Sequence, residues 1–165
     1  MLKLTAPAAL FALALAAQPA SAQVLGSDAA YCRSGTGAAA LLVHVDGFKA
    51  RSGNIRVNVY NSAATFLERG RYVRQINVPV TRSGPMRVCV RLPGTGQYAV
   101  AVRHDVAGNG NDWGDGGGFS RNPRLSLTSL RPNFRNVAVA VGAGVQNVSV
   151  VLNYRFGLSI RPVRG

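Results

Sequence analysis

The fold is decided by residues 92–120, which read LPGTGQYAVAVRHDVAGNGNDWGDGGGFS. Residues 93–96 form a glycine-rich turn, and an alternating strand follows it. Tyr98, Val100 and Val102 share one face of that strand, and the residues between them share the other. The strand then enters a loop in which three of the six acidic residues of the chain stand among glycines and asparagines. We therefore expect a half-buried strand that ends in a long polar loop.

Short alternating segments on both sides of this strand predict the rest of the fold. They cover residues 41–48, 53–61, 72–80, 85–92, 133–141 and 145–154. Pro79 favours a sheet edge for the third segment, and the turn at 142–144 predicts that the last two form a hairpin. About seven short strands without a long amphipathic helix predict an all-β fold, a single antiparallel β-sandwich of immunoglobulin type over residues 41–165.

Residues 1–22 have the layout of a signal peptide that directs export. Lys3 supplies a positive start, residues 8–17 form an apolar run too short to span a bilayer, and residues 20–22 read A-S-A, a small-residue cleavage site. Cleavage is expected after Ala22, and the alternative is a buried N-terminal helix. We expect a periplasmic or secreted mature protein that is not transmembrane.

Two cysteines, Cys32 and Cys89, follow the predicted cleavage site. An even number of cysteines in an exported chain predicts a disulfide, and the alternative is two free thiols. The bond would attach residues 23–40, a loosely ordered leader without clear periodicity, to the sheet. Alternation places Cys89 on the solvated face of its strand between Arg87 and Arg91. Neither cysteine belongs to a C-x-x-C motif, so redox catalysis and a zinc site are poorly supported.

Arginine dominates the charge of the mature chain. Of the 19 basic residues, Lys3 leaves with the signal peptide, so 18 remain against six acidic residues and the net charge is +12. Because a guanidinium binds phosphate or carboxylate through two parallel hydrogen bonds, we expect anionic partners such as envelope glycans or lipopolysaccharide. The outward arginines expected to bind them are Arg56, Arg74, Arg87, Arg91 and Arg103. The alternative is a codon bias toward arginine, and no nucleic-acid-binding module is recognisable.

The polar loop after the central strand contains the oxygen ligands that calcium prefers. Carboxylate and amide side chains with glycines between them let a chain curl around a hard cation. Compared with an EF-hand, however, Ala107 replaces one ligand and Gly116 stands where a bidentate glutamate is expected. The alternative is a turn that uses Asp, Asn and Gly for its backbone geometry. The candidate calcium ligands are Asp105, Asn109, Asn111, Asp112 and Asp115.

His104, Asp105 and Ser120 raise the hypothesis of a hydrolase. His104 and Asp105 are neighbours on a strand, so their side chains point to opposite faces. No G-x-S-x-G motif surrounds Ser120. We therefore favour a histidine that fixes the start of the loop, and we expect a protein without catalytic residues and without a cofactor other than calcium.

Two aromatic residues, Trp113 and Phe119, stand among the glycines of the loop. One of them is expected to hold the loop against the end of the sandwich. The alternative for Trp113 is stacking on a sugar ring.

Several motifs resemble an exported bacterial family catalogued as domain of unknown function 2141 (DUF2141). They are GNIRVNVYNS at 53–62, LPGTGQYAVAV at 92–102, HD at 104–105, NG at 109–110, GFSRN at 118–122 and PNFRNV at 132–137. The resemblance covers most of the mature domain and implies a transthyretin-like (prealbumin-like) sandwich. It implies no activity, because no reaction is assigned to the family.

The chain departs from the family pattern in the polar loop. Family members tend to read H-D-E-N-x-N-G-x-x-D, whereas here Val106 and Ala107 replace two ligand-type residues and Trp113 stands where the last aspartate is expected. Asp112 and Asp115 flank that position. The sequence therefore predicts a non-catalytic exported module with an anion-binding arginine surface, and a calcium-dependent domain is the alternative.

Overall fold

A computed structural model describes residues 23–33, 36–110 and 113–163. The predicted signal peptide lies outside the described residues, and so do Asn111 and Asp112 of the polar loop. Among the described residues, no helix is long and apolar enough to cross a membrane.

Eleven strands form two sheets in the described part of the chain. The four-stranded sheet is built from β1 (Val24–Leu25), β2 (Ala40–Asp46), β5 (Met86–Arg91) and β9 (Val145–Val151), in the order β1-β5-β2-β9. The seven-stranded sheet is built from β3 (Asn54–Tyr60), β4 (Arg74–Pro79), β6 (Gly96–Asp105), β7 (Gly116–Phe119), β8 (Ala138–Val141), β10 (Asn153–Phe156) and β11 (Ser159–Pro162). Its order is β11-β10-β7-β6-β3-β4, with β8 paired to β6. Two short helices are described, α1 (Ala29–Arg33) and α2 (Phe134–Val137).

This architecture confirms an all-β sandwich and corrects the predicted number of strands. Most described strand pairs are antiparallel, and the exceptions are β1 with β5 and β2 with β9. Five of the eleven strands have two to four residues. Strands of that length show too few alternations to be recognised in a sequence, which is why about seven were predicted.

The predicted alternation builds the core between the two sheets. In β3, Ile55, Val57 and Val59 are fully buried, whereas Arg56 and Asn58 between them are only partly buried and belong to the outer face. Burying such an aliphatic side chain stabilises the fold by roughly 1.5–3 kcal/mol. A slip of one residue would place Arg56 in the core, so the register of this strand is strongly specified.

The structure confirms one predicted sheet position and corrects another. β4, which ends at Pro79, is the last strand of the seven-stranded sheet, as an edge proline indicates. The predicted hairpin of 133–141 with 145–154 was wrong. β8 pairs with β6, whereas β9 crosses to the other sheet and runs parallel to β2. Alternation identifies which face of a strand is buried, but it does not identify the neighbouring strand. A strand buries the same face whether it pairs within a hairpin or with a more distant strand, so the pattern could not separate the two pairings.

The segment predicted as a loose leader carries β1 and α1. β1 pairs in parallel with β5, and α1 packs beside it on the same strand. Cys32 in α1 forms the predicted disulfide with Cys89 of β5. The prediction that Cys89 is solvated was wrong: its side chain is fully buried, because α1 covers this part of the outer face.

Candidate functional site: the arginine row of the seven-stranded sheet

The outer face of the seven-stranded sheet has a covered half and an open half. The covered half carries a second apolar cluster beneath the connection after β3 and the segment before β8. Its buried members are Tyr60, Phe66, Ala99, Phe119 and Val137. The open half carries polar side chains from β4, β3 and β6, and it contains the candidate site.

Register places three polar residues side by side across this open half. Arg56 of β3 lies opposite Asn77 of β4 on one side and opposite Arg103 of β6 on the other. Directly opposite residues have Cβ atoms about 4.5–5.5 Å apart, so the two arginines are immediate neighbours. We call Asn77, Arg56 and Arg103 the arginine row.

The two arginines of the row have different partners. Arg103 donates to the Asp115 carboxylate from Nε at 3.2 Å and from Nη2 at 2.5 Å, which relieves repulsion between the like charges. Arg56 donates from Nε to Oδ1 of Asn77 at 3.2 Å. Among the described residues, Arg56 has no carboxylate in salt-bridge contact, so it is the member of the row that can bind an external anion.

A surface depression of about 440 Å³ lies over the row. It is lined by the two arginines, by Asn54, Asn77 and Asn109, by Asp105, and by Gly108 and Gly110. A guanidinium flanked by amides can bind the oxygens of a phosphate, a carboxylate or a sugar hydroxyl. Such an arrangement can bind a polar ligand that carries an anionic group.

Asp105 lines this depression, and its carboxylate organises the adjacent loop. Its Oδ1 accepts the backbone N–H of Asn109 at 3.2 Å, and its Oδ2 accepts the N–H of Gly110 at 2.8 Å. Asp115 likewise accepts the N–H of Val106 at 3.1 Å in addition to the bonds from Arg103. Both carboxylates therefore face hydrogen-bond donors, which favours the turn interpretation over a calcium site.

The remaining candidate ligands do not form a cluster in the described part of the chain. There, no group of three or more His, Cys, Asp or Glu side chains is arranged to hold a metal ion. Asn109 lines the depression with its loop, whereas Asn111 and Asp112 lie outside the described residues. The calcium hypothesis stays a prediction with a direct test.

Replacing Asp105 by alanine is expected to lower the free energy of unfolding by about 1–3 kcal/mol, because two backbone N–H groups lose their acceptor. The loss should be the same with millimolar calcium and with a chelator, as measured by thermal melts of the wild type and Asp105→Ala. The wild-type melting temperature should also be equal in the two conditions. If calcium raised it and the variant lost that rise, the loop would be a metal site.

His104 and Ser120 are both buried and bind different partners. His104 Nε2 lies 2.8 Å from the carbonyl oxygen of Ser52, and Nδ1 lies 2.6 Å from the hydroxyl of Tyr154. Since a carbonyl only accepts, Nε2 carries the proton and Nδ1 of the neutral ring accepts from Tyr154. Burial raises the pKa of Tyr154, which keeps its hydroxyl protonated as this donor.

The hydroxyl of Ser120 is held by the backbone. It donates to the carbonyl of Val137 at 2.5 Å and accepts the N–H of Val100 at 3.0 Å. The structure therefore does not join Ser120 to His104 by a hydrogen bond, and these contacts give the hydrolase hypothesis no support. The favoured prediction, that the His104 ring hydrogen-bonds the following loop, was wrong as well, because the ring binds Ser52 before β3 and Tyr154 of β10.

The other predicted arginines lie apart from the row. Arg74 forms an ion pair with Asp28, donating from Nε to Oδ2 at 2.9 Å. Arg91 stacks its guanidinium 4.6 Å from the ring centroid of Tyr31. Arg87 and Arg91 belong to β5 in the other sheet. The five arginines predicted as one surface are therefore divided among separate regions.

Three asparagines of the site were not predicted as part of it from the sequence. Asn54, Asn77 and Asn109 line the depression together with Arg56 and Arg103. The signal for two of them was the same alternation that identified Arg56, because polar residues between buried positions of β3 and β4 face outward. Asn109 was predicted only as a calcium ligand.

Fold and site together define the class of this protein: a disulfide-linked β-sandwich with a polar depression on the outer face of its larger sheet. The chain belongs to the family described as "Uncharacterized protein conserved in bacteria (DUF2141)", whose model matches residues 43–149. The match covers more than half of the chain and confirms the resemblance read from its motifs. Searches of curated proteins and of solved structures found no match.

Proposed function

We propose that this protein is an exported, non-catalytic module that binds anionic envelope or extracellular polymers at the arginine row. The expected ligands carry phosphate or carboxylate groups, as lipopolysaccharide and acidic glycans do. The signal-peptide layout of residues 1–22 and the disulfide both support export, because disulfides persist in oxidising compartments.

The observation that carries the proposal is the position of Arg56. It stands between an amide and a second arginine, over an open depression, and its hydrogen bond to Asn77 engages only Nε. An oxyanion that binds its remaining N–H groups gains a charged hydrogen bond without displacing an internal ion pair.

The distribution of acidic residues supports the same conclusion. Asp28, Asp115 and Glu68 each pair with an arginine within the described part of the chain. These pairs neutralise few of the 18 basic residues of the mature chain, so a strong positive field remains. Such a field attracts polyanions and speeds their association.

Arg56→Gln is expected to weaken binding to lipopolysaccharide and to polygalacturonate about tenfold, the effect of losing a charged hydrogen bond of roughly 1.5 kcal/mol. Affinity should also fall as salt is raised, since ions screen a mainly electrostatic contact. Binding can be measured by biolayer interferometry with each polymer immobilised.

Arg69→Gln is the matched control. Arg69 is exposed in the connection between β3 and β4 and does not line the depression, yet its substitution removes the same charge. We expect less than a twofold loss for it on electrostatic grounds. Equal losses for both variants would mean that net charge, and not the arginine row, determines binding. Affinity that persists in molar salt would also contradict the proposal.

A further inference from the structure

A second, apolar depression of about 260 Å³ lies beyond the arginine row on the seven-stranded sheet. We call it the Trp113 groove, and the lining residues that matter here are Trp113, Gly117, Leu127, Leu130, Arg155 and Ile160. Trp113 is 80% exposed, Leu130 47% and Leu127 39%. Neither of the two aromatics is shown to hold the polar loop against the sandwich: Trp113 is exposed, and Phe119 packs on Phe66 in the second apolar cluster. An aliphatic groove beside an exposed indole marks a binding site for an apolar group.

The floor of the groove is β7, a strand that begins with three glycines. A Cβ on Gly116 would lie 2.3 Å from Cε1 of Tyr154, and one on Gly118 would lie 2.6 Å from the carbonyl oxygen of Val151. Packing inside the protein therefore requires glycine at both positions. At Gly117 a Cβ would meet only the carbonyl oxygen of Val102, at an ordinary 3.5 Å. Internal packing therefore does not require glycine at position 117. The absence of a side chain there keeps the groove open.

The charge around the groove is positive. The guanidinium of Arg155 lies 4.4 Å from the centroid of the Trp113 ring. Arg161 stands nearby on β11, directly opposite Tyr154. Of the described acidic residues, Asp115 lines the groove. Its charge is already neutralised by the ion pair with Arg103. Among the described residues, an anionic group at this rim meets a cation and no unpaired carboxylate.

We propose that the Trp113 groove binds the acyl chain of a single-chain anionic amphiphile, with the head group beside Arg155. Leu127, Leu130 and Ile160 offer aliphatic surface and no side-chain hydrogen bonds, which suits an acyl chain rather than a sugar. The cationic rim selects an anionic head group. Arg56 does not line the groove, so this inference and the proposed function fail independently.

Trp113 reports directly on the groove because it is the only tryptophan of the chain. The purified, oxidised protein is titrated with dodecyl phosphate below its critical micelle concentration while tryptophan emission is recorded. We expect a saturable blue shift as the acyl chain shields the indole. Dodecyl maltoside and dodecyltrimethylammonium should bind at least tenfold more weakly, and inorganic phosphate alone should produce no shift.

Three variants test the site itself. Gly117→Leu fills the groove at a position that tolerates a side chain, and Leu130→Gln makes its exposed wall polar; each should weaken dodecyl phosphate binding about tenfold. Arg155→Gln should remove the preference for dodecyl phosphate over dodecyl maltoside. Wild-type affinity in folded Gly117→Leu and Leu130→Gln would overturn the proposal. Equal affinity of the wild type for the neutral and the anionic amphiphile would overturn it as well.

Discussion

Loss of the disulfide, by replacing Cys32 and Cys89 together with alanine, is expected to lower the free energy of unfolding by about 4 kcal/mol. The bond spans 57 residues of sequence, and opening it lets the unfolded chain gain the entropy that this loop closure had removed. It also joins α1 to β5, so its loss should loosen residues 23–33 first. Urea denaturation of the oxidised wild type, the reduced wild type and the double variant measures the effect.

The double variant supplies its own control, because reductant should lower the stability of the wild type and leave the variant unchanged. The measurement should be made at neutral pH, where the ion pair of Asp28 with Arg74 also holds residues 23–33 in place. Burial alone would raise the pKa of Asp28, but hydrogen bonds from Arg74 and from the Arg91 N–H outweigh it, and the pKa lies below its ordinary 3.8. The stability from this group is present above that value and is lost as the pH falls through the lowered pKa. Equal stability of variant and oxidised wild type would contradict the entropic account.

Gly53→Ala is expected to destabilise the fold by about 3 kcal/mol or more, from strain in the left-handed region and from overpacking. Gly53 has φ +71°, and a Cβ there would lie 1.8 Å from the carbonyl oxygen of Asp105 and 2.7 Å from that of Val106. Both obstacles are backbone, so no side-chain rotation relieves them. The displacement would disturb the loop beside the arginine row and the neighbouring Ser52 carbonyl that binds His104.

Gly70→Ala separates the two contributions to this effect. Gly70 has φ +73°, almost the conformation of Gly53, but a Cβ there meets nothing within 4 Å. Its substitution should therefore cost only the backbone strain, about 1 kcal/mol. Chemical denaturation of both variants gives the difference, which measures the clash. Equal losses would show that the close approach of Gly53 to Asp105 does not matter.

The sequence predicted the strands that are long enough to alternate. In β3 and β6 the inward face is the one read from the pattern, with Val57 and Val102 inside and Arg56 and Arg103 outside. Tyr60 and Ala99 were assigned to the outward face and are nevertheless buried, because the second apolar cluster covers that half of the sheet. The physical reason is local: successive side chains of a strand point to opposite faces, and water selects the polar face. Strands of four residues or fewer lack this signal, and a turn like that at 142–144 fits both a hairpin and a crossing between sheets.

The sequence predicted that several arginines face outward, but it did not predict which of them lie together in one site. Alternation put Arg56 and Arg103 on an outer face, and β3–β6 pairing then set them side by side. The same reasoning grouped Arg87 and Arg91 with them, although these belong to the other sheet. Which arginines meet depends on strand order, and strand order depends on contacts between residues far apart in the chain.

By itself, then, the sequence determined the all-β class, the buried face of each long strand, the pairing of Cys32 with Cys89 and the excess of arginine, because these follow from short periodicities, cysteine number and composition. Only the tertiary structure decided that α1 buries Cys89, that Arg56 lies between Asn77 and Arg103, and that Gly117 is the floor of an open groove. Those facts arise where separate segments pack against one another, and packing partners leave no mark in the local pattern of either segment.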